Sequence, residues 1–137
     1  MKLDRHQLPI PEPEALALQL ALGRTVAGTA LLAAPVLGLR LLGADSATAK
    51  RVTFLTRMMA VRDAAIGAGA LAAARGHGSP VPWIIAGAAS DAVDTVVLTQ
   101  ALREGRATGL TARLTVPISA SAAAIGIVTA IRLRGRA

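Results

Sequence analysis

A chain of 137 residues, 53% hydrophobic and only 17% charged, is one domain's worth of sequence. Its charge falls below the roughly 25% usual in soluble domains. The formal charge of +7 comes almost wholly from arginine and is scattered at segment ends, with aromatics at 1%, which excludes a basic face with stacking rings for nucleic acid and favours anionic lipid head groups instead. Cysteine is absent, so disulfides, thiolate nucleophiles and thiolate metal sites are excluded.

Residues 1–13 read as an extended lead-in, because Pro9, Pro11 and Pro13 alternate and block regular pairing. This stretch holds no apolar run long enough for a cleaved signal peptide. A first helix is predicted over 14–42, with Pro13 suited to a first helical position and Gly43-Ala44-Asp45-Ser46 closing it. The second is predicted over 48–75 and stops at Gly76-His77-Gly78-Ser79-Pro80. The third, over 82–103, opens at Pro82-Trp83, where the indole suits an interface anchor. A polar connector from Glu104 to Gly109 leads to a fourth helix over 110–133, and residues 134–137 form a basic tail. Pro35 and Pro117 fall inside predicted helices and read as kinks of the kind lipid tolerates.

Each of the four segments is long enough, at about 1.5 Å per residue, to cross a hydrocarbon layer of about 30 Å. A soluble bundle would need a polar face on every helix, and Ser119 to Ile131 carries no charge at all. The expectation is therefore an all-α protein of residues 14–133. It is a four-helix transmembrane bundle, up-down-up-down, with both termini on the same side of the cell membrane. Basic residues divide evenly between the two sides, so only the density of Arg132, Arg134 and Arg136 turns the termini towards the cytoplasm.

Charge at the centre of these segments is the main chemical signal. Arg62-Asp63 lies midway along Val52 to Ala74, and Asp91 and Asp94 lie midway along Pro82 to Leu102. Asp91 and Asp94, spaced i,i+3, share a helix face. Folding the second and third helices about Gly78-Ser79 brings Asp63 level with Asp94 and Arg62 level with Thr95. Arg62 is thus expected to pair with Asp94 or Asp91, while Asp91 falls level with apolar Ile66. Gly28 and Thr29 reach the same depth from the first helix, Gly28 permitting close backbone approach and Thr29 offering a hydroxyl. Arg24 and Arg57 lie a little to either side, and Ser119 and Ser121 arrive from the fourth helix. Three cations (Arg24, Arg57, Arg62) then face three acids (Asp63, Asp91, Asp94), a balance that implies mutual neutralisation. The second helix alone carries three charges costing about 2.5 to 3.5 kcal/mol each near a helix centre, so it is expected to need the third helix to sit in lipid.

Other chemistry is thinly supplied. His6 and His77 lie outside the apolar spans, which argues against haem ligation or a histidine relay, and no cofactor is implied. Asp91-x-x-Asp94 is an incomplete shell for a divalent metal. Ser119 and Ser121 have no histidine partner for triad chemistry.

Gly23-Arg24, the run RMMAVRDAAIG that supplies Arg57, Arg62, Asp63 and Gly67, and SDAVD with Asp91 and Asp94 carry a resemblance. The chain resembles small four-helix membrane proteins of actinobacteria grouped as domains of unknown function. That resemblance covers most of the chain after Glu14 and implies no activity. The small multidrug transporters share length and span number. Their acidic residue in the first helix has no counterpart between Glu14 and Asp45. The expected role is structural or accessory, with no enzymatic activity that these residues name, acting with itself or in a larger membrane complex. The alternatives are a proton- or ligand-coupled small transporter, or an intramembrane enzyme acting on a lipid or isoprenoid through Asp91 or Asp94.

Overall fold

A computed structural model describes residues 11–107 and 109–136, the side chain of Thr111 excepted. Most of the proline-rich lead-in, residues 1–10, lies outside that range. The described residues are all-helical: α1 (Pro13–Ala33), α2 (Pro35–Leu41), α3 (Ser46–Arg51), α4 (Thr53–Ala74), α5 (Val81–Arg103) and α6 (Leu110–Arg134).

The first predicted helix is thus two. Pro35 has no N–H to give the Leu31 carbonyl, and its ring pushes the preceding residue out of helical space. Ala34 accordingly sits at φ −134°, ψ 62°, and the chain restarts as the short α2. Pro35 is a stop where a kink was expected. Pro117 behaves as expected, with α6 running through it. The second predicted helix also divides, at Val52 (φ −95°, ψ 6°). The backbone ladder nearly survives there, since Val52 N–H reaches the Thr48 carbonyl at 3.0 Å and Thr56 N–H reaches that of Val52 at 2.9 Å. The Thr53 hydroxyl bonds back to the Ala49 carbonyl at 2.9 Å, a contact that bends helices.

Asp45 caps α3 by accepting from the Ala47 and Thr48 N–H groups at 2.9 and 3.0 Å. Hydrogen bonding from Thr48 first, and from Ala47 as well, holds its carboxyl below the usual carboxylate range. A carboxylate depressed in the folded state stabilises above its unfolded value and loses that effect as pH falls through the folded one. Protection of the Ala47 and Thr48 amides, taken against their intrinsic exchange rates at each pH, should therefore be lost in Asp45→Ala, and should fall in the parent chain only once the pH drops below the ordinary aspartate range. Exchange in the mutant as slow as in the parent would show that the cap does not hold this turn.

Side-chain size sorts the packing. The apolar core consists of Ala17, Ala21, Ala70, Ile84 and Ala130, flanked by Leu20, Leu71, Val81 and Leu133. Large apolar groups point outward instead: Val26 is 65% exposed, Phe54 72% and Ile131 64%. Small inside and large outside is the pattern of helices packed in lipid, where close backbone approach replaces the hydrophobic effect as the organising force. Helix α1 lies along α4, and α5 along α6. These two pairs meet more lightly, α4 against α5 and α1 against α6. The contact of the second predicted helix with the third, on which its stability was expected to depend, is the looser seam between pairs, and α1 is the main partner of α4 instead. At the chain ends, Arg136 pairs with Glu12 at 2.6 Å and Glu14 at 3.1 Å, so the start of α1 and the end of α6 are neighbours.

Three helical stretches, Pro13–Ala33, Val81–Arg103 and Ala112–Arg134, are long and apolar enough to cross a membrane, with mean hydropathies of 1.4, 1.4 and 1.9. Helix α4 is as long but carries Arg57, Arg62 and Asp63.

Candidate functional site: a charge chain at the seam

The loosely packed seam between helix pairs is where the central charges meet. From α1, Arg24 donates to Asp63 of α4 at 2.7 Å, to Asp91 of α5, and to the Gly87 carbonyl at 3.3 Å. From α4, Arg62 grips Asp94 of α5 with both terminal nitrogens, at 3.3 and 2.7 Å. Such a two-pronged guanidinium–carboxylate bond is among the stronger polar contacts a protein makes. Arg62 Nε also lies 3.4 Å from Asp63 Oδ1, close enough for charge attraction yet without an aligned hydrogen bond. The result is a continuous alternation, Asp91–Arg24–Asp63–Arg62–Asp94, which leaves α5, passes through α1 and α4, and returns to α5 one turn away.

Local sequence explains the convergence. Asp91 and Asp94 point the same way because they are i,i+3 on α5. Arg62 and Asp63 are adjacent on α4, so one reaches α5 while the other faces α1. Arg24 is four residues from Gly28, and its long side chain covers that offset in depth. Of the two arginines, Arg24 is the more enclosed, 16% exposed against 34% for Arg62.

The sequence-predicted residues do not all join. Arg57 is exposed on α4 and forms no ion pair among the described residues. It lies five residues before Arg62, hence on a different face, in the second turn of α4. Thr29 is exposed, and its hydroxyl bonds to the Thr25 carbonyl of its own helix. Ser121 is exposed as well, two residues and therefore more than half a turn from Ser119. The expected balance of three against three becomes two arginines against three aspartates. Ser119 is buried, 2.8 Å from the Thr95 hydroxyl, which itself donates to the Asp91 carbonyl at 2.7 Å. Thr95 and the Gly87 carbonyl were not singled out from sequence. Thr95 carried a usable signal, being i+4 from Asp91 on the same face.

A small cavity adjoins the chain of charges, lined by Arg24, Asp91, Gly67, Gly87, Trp83 and Gly126 among others. Its volume open to a water centre is 20 Å³, room for about one water. Trp83, exposed on its outer side, lies over Gly69 beside this space, so the indole packs between helices as well as facing outward. Both α5 carboxylates are occupied by guanidinium groups, which suits electrostatic fastening of helices. Comparison with protein families, curated proteins and solved structures finds no match to this chain.

Proposed function

We propose that this is a four-span integral protein of the cell membrane with a structural or accessory role, in which the Arg24/Arg62 and Asp63/Asp91/Asp94 chain fastens two helix hairpins into one bundle. The observation that carries the reading is the closure of the charge chain at the seam beside a space no larger than about one water. That space disfavours the ligand-coupled and lipid-modifying alternatives, which need room beside a carboxylate for an organic substrate. Helix α4 is the fourth span in this reading. Asp63 and Arg62 are neutralised inward, and Arg57 sits in the second turn of the helix. An outward girdle of Leu, Ile, Val, Phe and Met supports lipid contact. The contact of Arg136 with Glu12 and Glu14 supports both termini on one side, and the density of the basic tail favours the cytoplasm for that side. Kinship with the small actinobacterial membrane proteins that share the Arg and Asp motifs belongs to the same proposal, as does action with itself or in a larger complex.

The chain lacks cysteine, so single introduced cysteines report sidedness without background. In membrane vesicles, Ser79→Cys and Gly135→Cys should react alike with an impermeant maleimide, and Ala44→Cys and Ala107→Cys should react as the opposite set. Labelling that groups Ser79→Cys with Ala44→Cys would mean α4 does not cross, and would overturn the four-span reading.

A further inference from the structure

The outer face of the α5/α6 pair carries a second concavity, which shares Ala88 with the lining of the central space. Ala88, Ala89 and Ala92 form its floor on α5, Ile85, Ile127 and Ile131 its walls, and Arg134 one end. Its volume is 310 Å³, against 20 Å³ for the central space. The furrow exists because small side chains follow one another on α5 while branched ones stand on either side.

Arg134 gives the furrow a direction. Its two neighbours in the basic tail are committed: Arg132 donates to the Pro11 carbonyl at 3.1 Å, and Arg136 pairs with Glu12 and Glu14. Arg134 is exposed and has no acidic partner among the described residues. It is also the last residue of α6, one turn beyond Ile131 and two beyond Ile127. If α6 spans the bilayer, the guanidinium stands at head-group depth and the furrow runs from there into the hydrocarbon. An unpartnered cation at the mouth and apolar walls below match a single kind of occupant.

We propose that this furrow is a binding site for an anionic diacyl phospholipid, one acyl chain lying against Ala88, Ala89 and Ala92 and the phosphate oxygens accepting from Arg134. A basic side chain at a membrane surface attracts anionic head groups, and a guanidinium adds directed hydrogen bonds to phosphate. The neutral floor gives no head-group discrimination, so selectivity rests on Arg134 and affinity on the furrow. A second copy of the chain docking here would bring its own apolar face against an uncompensated arginine, which is the less complementary fit.

This site rests on the membrane-spanning reading, and the two are tested separately. Retention of the full chain in membranes through an alkaline carbonate wash tests the first; release into the wash would remove the basis for both. With the chain purified in detergent, native mass spectrometry then measures retention of phosphatidylglycerol against phosphatidylcholine of identical acyl chains. The parent should keep one phosphatidylglycerol in preference. Arg134→Gln should lose about fivefold of that preference, and Arg75→Gln, at the same end of the molecule, should keep it. Ala89→Leu, which fills the floor, should lower retention of both lipids alike. Equal retention of the two lipids by the parent, or an unchanged preference in Arg134→Gln, overturns the proposal. So does a dimer whose dissociation by Ala89→Leu shows the furrow to be an interface between copies.

Discussion

Replacing Arg24 with leucine is expected to destabilise the protein more than any other single neutralisation, by on the order of 3 to 5 kcal/mol. The reason is position within the charge chain. Arg24 holds Asp63 and Asp91 at once and so ties α1 to both α4 and α5. Its loss leaves Asp91 with no guanidinium, while Asp63 keeps Arg62 Nε 3.4 Å away. Arg62→Leu strips Asp94 but leaves the Arg24 bonds intact, so a smaller loss is expected. Removing an acid together with its cation relieves the uncompensated charge, and the pair Arg24→Leu/Asp91→Leu should be more stable than Arg24→Leu alone. Arg57→Leu serves as the control, since Arg57 is exposed and unpaired among the described residues, and it should be near neutral. Thermal unfolding in one detergent across the set reads the order. Equal losses for Arg24→Leu and Arg57→Leu, or a double mutant losing the sum of its singles, would show that the charges do not act as fasteners.

The second large effect is expected where α1 and α4 touch. A Cβ placed on Gly28 would lie 2.6 Å from the Ala64 nitrogen and 2.8 Å from the Ala60 carbonyl oxygen. One on Gly67 would meet the Thr25 hydroxyl, the Thr25 nitrogen at 2.7 Å and the Ala21 carbonyl oxygen at 2.9 Å. Backbone atoms cannot swing aside, so either substitution must separate the helices. Gly67→Ala and Gly28→Ala should each cost about 1 to 3 kcal/mol through overpacking. Their effects should fall short of additive, because a pair already wedged apart at one glycine has room at the other. Separation also draws Arg24 away from Asp63, so proteolysis at the α4–α5 connector should rise together with the loss of stability. Gly23 has nothing within 4 Å of its would-be Cβ. Gly23→Ala should therefore be neutral, or stabilising by up to about 1 kcal/mol through helix propensity. Gly67→Ala melting no lower than Gly23→Ala would contradict the close packing described.

Much of this protein is written locally and can be read from the chain. Apolar run length and proline and glycine punctuation set the outer bounds of the four helical stretches to within a few residues, because those signals act within one turn, though not the breaks at Ala34 and Val52. Counting from the connectors also placed Arg62 near the depth of Asp94, since helical rise per residue is constant. The i,i+3 spacing put Asp91 and Asp94 on one face for the same reason. Depth, however, is only one coordinate. Thr29, Arg57 and Ser121 lie near the depth of the charges or just beyond it, yet face outward, because the direction a residue points depends on how its helix is rotated against neighbours. In a soluble helix a polar stripe reveals that rotation. Here both sides of each helix are apolar, and side-chain volume alone separates inside from outside. The pairing of α1 with α4 rests on Gly28 and Gly67 meeting backbone. Arg24 reaches Asp91 across the seam only because that pairing brings α1 close. The stop at Pro35 and the passage through Pro117 likewise depend on the helix beyond each proline, short in one case, long and packed in the other. Sequence determined the helices, their depths and the presence of charge among them; rotation and partner choice, being properties of surfaces in contact, were decided by the tertiary fold.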